Sequence, residues 1–163
     1  MKTEPIFRLL PWAVVLMMLL TPLQTTAGEA AALSKGQTVY VPAYSHIYHG
    51  NSEKPFFLTV TLSIRNVDAK RRIKLTAVDY YETQGMLLKN YIKAPILLKP
   101  LESVRYIVAE KDELGGSGAN FIVEWQSEKP VNPPIIETVM ISSRLGQGIS
   151  FTSRARVIIE SPE

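Results

Sequence analysis

From Phe56 to Val67 the chain reads FFLTVTLSIRNV, with Phe56, Leu58, Val60, Leu62 and Ile64 on one side of an extended backbone. Thr59, Thr61, Ser63 and Arg65 fall on the other. Side chains alternate across a β-strand, so this spacing buries one face and wets the other. The same period returns in Ile73–Tyr81, Met86–Ile92, Ser103–Ala109, Phe121–Trp125, Ile135–Ile141 and Ile149–Ile159, after a first strand over Gln37–Tyr44. Pro and Gly fall between these runs, and Pro95 and Pro100 confine Ile96–Leu98 to a short edge strand. No segment repeats apolar residues at helical spacing between helix caps. About eight strands so spaced, in a chain long enough for one domain, imply an all-β fold. The expected architecture is a small antiparallel β-sandwich, immunoglobulin-like in shape, with a partly open barrel as the other way to close it. Phe121, Val123 and Trp125 share a face and belong to the core.

The chain has no cysteine and only two histidines. Disulfides, iron–sulfur clusters, Cys-ligated zinc, thiol catalysis and a lipid-bearing cysteine are therefore excluded. No cofactor is expected. Near the N-terminus, Lys2 and Arg8 precede an apolar run, Leu9–Leu20, followed by the small and polar Thr21–Gly28. A basic start, an apolar middle and a small-residue exit form the layout of a secretory signal peptide. Thr25-Thr26-Ala27 favours cleavage before Gly28, with sites up to Ala32 as alternatives. An uncleaved anchor is the competing reading, but Pro11 and Pro22 make Leu9–Gly28 a poor bilayer helix. The expected organisation is a signal peptide over 1–27, a short extension over 28–36 and a single sandwich domain over 37–163. That layout makes the protein exported, periplasmic or extracellular, with no stable membrane insertion after cleavage.

The formal net charge is +3 for the whole chain, and it falls to +2 once Lys2, Arg8 and Glu4 leave with the leader. This is too small to imply a nucleic-acid partner. Lys70, Arg71, Arg72 and Lys74 form a basic knuckle without interleaved aromatics, which reads as a solvated turn. Asp79 and Glu124 each read as solvent-face residues of alternating strands, although a glycosidase needs two such acids in one cleft.

The densest polar and aromatic cluster follows the first strand: Tyr44, His46, Tyr48, His49 and Asn51. Flat rings with donors and acceptors suit stacking and hydrogen bonding to a glycan or a peptide. A metal would need further converging ligands, and His46 and His49 would face opposite sides of a strand. No metal is expected there. The second candidate is Gly115, Gly116, Ser117 and Asn120, a glycine-rich link ahead of FIVEW. It lacks the helix of a nucleophile elbow and the Lys of a phosphate loop, leaving a tight connection or a backbone anion nest.

Five blocks, Val39–Gly50, Leu62–Asn66, Asp79–Tyr81, Gly115–Trp125 and Gly146–Ser153, together resemble a bacterial family of exported proteins catalogued as a domain of unknown function. The likeness covers residues 37–159 and implies no activity. Leu62–Pro100 also resembles extracellular immunoglobulin-like adhesion and cell-surface modules, in shape alone. The function expected is a non-enzymatic binding or scaffolding module whose partner is an envelope protein or a glycan. An envelope hydrolase acting on glycan or wall material is the alternative from another class. A His-dependent periplasmic metal-binding protein is the third.

Overall fold

The structure, a computed structural model, describes residues 32–48, 50–143 and 148–161. The expected leader, its cleavage before Gly28 and His49 lie outside these residues. Every regular element among them is a strand. In chain order they are β1 (Ser34–Pro42), β2 (His46–Tyr48), β3 (Pro55–Phe57), β4 (Thr59–Arg65), β5 (Ile73–Tyr81) and β6 (Leu87–Asn90). The rest are β7 (Ile96–Leu98), β8 (Ser103–Val108), β9 (Asn120–Val131), β10 (Ile135–Ser142), β11 (Ile149–Arg154) and β12 (Arg156–Glu160). One sheet has the order β12-β1-β9-β5-β6, with β7 also paired to β5; the other runs β11-β10-β4-β8. All pairings are antiparallel, and β2 with β3 forms a separate small hairpin.

The two sheets pack as a sandwich because their alternating faces match. Val60, Leu62 and Ile64 of β4 and Met140 of β10 meet Val41, Val78, Tyr80, Phe121 and Val123 of the other sheet in one core. Trp125 joins them, as its shared face with Phe121 and Val123 required. A polar tie crosses this core. The hydroxyl of the fully buried Thr138, on β10, donates to the carbonyl of Pro42, on β1, at 2.6 Å. A buried hydroxyl without that acceptor would be costly, so the bond also fixes the approach of the two sheets.

Two expected strands are each divided. Phe56–Val67 breaks at Leu58, whose N–H donates to the Ser45 carbonyl and turns the chain from the β2–β3 hairpin into β4. Ile149–Ile159 breaks at Ala155, whose N–H donates to Ile136, so that β11 pairs in one sheet and β12 in the other. β9 runs on past Trp125 to Val131 because β1 begins at Ser34, earlier than Gln37, and Ser34 pairs with Val131.

The connection from β4 to β5 is held by two buried polar side chains. The amide of Asn66 donates to the carbonyls of Arg71 at 2.8 Å and Lys99 at 2.9 Å, tying this turn to the one before β8. One carboxylate oxygen of Asp68 accepts from the backbone N–H groups of Lys70 and Arg71, both at 2.9 Å, and the other accepts from Asn132 at 3.3 Å. These bonds, that from Lys70 foremost, hold the Asp68 carboxyl below its ordinary 3.8 against the opposing effect of burial. A depressed carboxyl adds stability above its unfolded value and loses it as pH falls through the folded one. Melting temperature is therefore expected to fall on acidification below 3.8. Asp68→Asn should melt lower at neutral pH and show a shallower acid decline; parallel curves for the two proteins would rule out this role.

Candidate functional site

Where β1 ends, three separate loops lock together. Ala43 N–H donates to the Ala119 carbonyl at 2.9 Å, and both the N–H and the hydroxyl of buried Ser45 donate to the Gly116 carbonyl, at 3.0 and 3.1 Å. From the β5–β6 turn, the N–H and hydroxyl of Thr83 both donate to the Gly115 carbonyl at 3.0 Å. The Thr83 oxygen in turn accepts the Gly118 N–H at 3.1 Å. Ser45, at the base of the β2–β3 hairpin, and the glycine link, which lie in two unconnected clusters of the sequence, are thus joined. Ser45 and Thr83, which make the join, carry no aromatic or charged group that would mark them in the sequence.

The glycines are there for closeness. A β-carbon on Gly115 would stand 1.8 Å from the Tyr80 hydroxyl oxygen, and Gly116 has a φ of +81° that side chains rarely adopt. The Tyr80 hydroxyl is buried without a hydrogen-bond partner. Burial, then the Asp112 charge, raises its pKa well above the ordinary phenol value. Ser117 is half-buried in the turn, and Asn120 opens β9 between Pro42 and Tyr81.

The rings sit on the hairpin. His46 and Tyr48 are two apart on β2 and so share a face, with ring centroids 5.3 Å apart and nearly perpendicular. The His46 Nε2 lies 3.3 Å from the Tyr48 hydroxyl, while its Nδ1 is buried without a partner. Phe57, opposite His46 in the pairing, completes the cluster with centroids at 5.9 Å. Phe57 was not singled out in the sequence, because register alone brings it there. Tyr48 is 55% exposed, whereas Tyr44 turns inward and meets Phe151 of β11 edge-on at 5.7 Å. Tyr44 is thus partly a core residue, and Asn51 lies exposed in the turn beyond.

Residues 36–158, from β1 into β12 and so across both sheets, match the family described as "Protein of unknown function (DUF3124)". The chain belongs to this family. No curated protein matches it. The crystal structure of Thermotoga maritima 1070 is similar to it with a TM-score of 0.45 and 12% identity, covering 78% of this chain and 97% of that one.

The remaining candidates of this DUF3124 chain lie apart from the ring cluster. Asp79 and Glu124 stand on the outer face of one sheet as diagonal neighbours, since Asp79 pairs with Ile122 and Ala77 with Glu124. The Asp79 carboxylate accepts from the Asn90 amide at 2.8 Å. Among the described residues no three of His, Asp and Glu come close enough to share a metal ion. The basic knuckle of Lys70–Lys74 lies at the opposite end of β5 from Tyr81 and the glycine link.

Proposed function

We propose that the chain is an exported, non-enzymatic recognition module of the cell envelope, and that its ring-bearing end engages a glycan or a segment of an envelope protein. The observation that carries this reading is the Tyr48–His46–Phe57 cluster. Its rings are fixed edge to face on a hairpin whose base is hydrogen-bonded to the glycine link, and Tyr48 faces water. A surface ordered before contact loses little entropy on binding, and exposed rings stack on the flat faces of sugars. The basic, apolar and small-residue order of residues 1–28 supports export.

The test is retention of the domain on purified cell-wall glycan. The wild-type protein should be retained without releasing soluble fragments, and Tyr48→Ser should weaken binding about tenfold at an unchanged melting temperature. Retention unaffected by Tyr48→Ser would remove the ring cluster from the account, and steady release of sugar fragments would make the protein a hydrolase.

A further inference from the structure

At the far end of the sandwich the basic knuckle is part of a cleft of about 390 Å³. The sequence presents Lys70, Arg71, Arg72 and Lys74 as a solvated turn; the fold adds Lys129, from the continuation of β9, on the facing side. Glu128 is the one carboxylate among the residues that line the cleft. The volume falls in the range of small-ligand sites, about 300–1,000 Å³.

Three features make the cleft more than a run of charge. First, its shape is set in advance. Asn66 and Asp68 clamp the knuckle from below through the bonds described above, the Ser127 hydroxyl donates to the Arg72 carbonyl at 3.3 Å, and the Arg71 guanidinium donates to the Pro130 carbonyl. Second, its donors are idle. Lys70, Arg72, Lys74 and Lys129 make no side-chain hydrogen bond or ion pair among the described residues. Asp68 makes no side-chain bond to any of the four, since its two oxygens accept backbone N–H groups. Like charges gathered in one concave surface repel one another and concentrate the field on an anion. Third, the cleft has an apolar side. Lys74 pairs with Leu97 on one flank and Gln126 on the other, and Leu97 is 46% exposed.

We propose that this cleft binds a phosphate-bearing ligand, its oxygens taking the idle donors of Lys70, Arg72, Lys74 and Lys129 while Leu97 receives an adjoining apolar portion. Guanidinium and ammonium groups together suit such an oxyanion, the one through paired donors and the other as a point charge. A lipid headgroup and a free phosphate compound offer the same chemistry. Two arms of one experiment separate them: calorimetric titration with inorganic pyrophosphate, and co-sedimentation with phosphatidylglycerol vesicles against phosphatidylcholine vesicles. Binding in the first arm identifies the phosphate group itself as sufficient, and binding in the second alone identifies the headgroup at a lipid surface. In either case Arg72→Gln combined with Lys129→Gln should weaken binding at least about tenfold at an unchanged melting temperature. Lys93→Gln combined with Lys111→Gln, the same loss of two charges at exposed sites outside the cleft, should leave binding within about twofold. Tyr48→Ser should not affect it. Absence of binding in both arms, or an equal loss with the Lys93→Gln and Lys111→Gln pair, would overturn the proposal.

Discussion

Leu62→Asp should destabilise the fold severely, while Thr61→Asp, one residue away, should leave a folded protein with a slightly lower melting temperature. Leu62 is fully buried in the middle of β4, between Thr138 of β10 and Tyr106 of β8 and flanked by Val60 and Ile64. An aspartate there loses the leucine's burial and places a carboxyl among apolar neighbours without a partner. Together these cost about 4–5 kcal/mol or more, against about 5–15 kcal/mol for the whole stability of a domain. Thr61 lies between Val139 and Ile107 on the outer face, where Ile107 is itself half-exposed. The substitution there loses strand preference worth about 1 kcal/mol. Circular dichroism and urea melts decide the matter, and equal losses at the two positions would mean that both faces of β4 are buried.

Gly115→Ala is expected to be the most damaging of the conservative changes in the loops. The added carbon would overlap the Tyr80 hydroxyl oxygen at 1.8 Å and crowd the ring carbon behind it at 2.8 Å. Tyr80 is wedged in the core against Phe121, with ring centroids 4.9 Å apart, and has no room to withdraw. Overpacking of this kind costs about 1–3 kcal/mol. Tyr80→Phe alone removes a buried hydroxyl that has no partner, so its own effect should be small. Combined with Gly115→Ala it should restore part of the loss, since the nearest atom is gone but the ring carbon remains. A double-mutant cycle by chemical denaturation reads the coupling directly. Strict additivity would mean that the glycine link moves aside and that the contact with Tyr80 is not what demands glycine.

The apolar faces were legible in the sequence because alternation is a local property. Leu58, Val60, Leu62 and Ile64 are all buried, as their spacing required, and Trp125 follows Phe121 and Val123 into the core. Which sheet a strand joins is not local. Alternation passes through Ala155 without interruption, yet the chain changes sheets there. The same limit applies to the candidate site. That His46 and Tyr48 share a face follows from their spacing, but the bond from Ser45 to Gly116 spans 71 residues and has no local trace. Lys129 likewise meets the basic knuckle only because β9 outlasts its apolar pattern, through a stretch (QSEKPV) that reads as a loop.

The neighbours of β1 carry a consequence for how the molecule must assemble. Gln37 faces Glu160, 123 positions along the chain, and on its other side β1 rests against β9, which begins only at Asn120. Val39 and Val41 therefore wait through most of the polypeptide before any partner strand exists. Pairings so distant in sequence close large loops before they gain contacts, which places folding in the millisecond-to-second range. Throughout that interval β1 has both edges unpaired and Val39 and Val41 uncovered, and is able to pair with the same segment of another molecule. The last strand to emerge is thus the one that covers it, and dilution or restraint of the nascent chain until Glu160 is free would decide the yield of monomer.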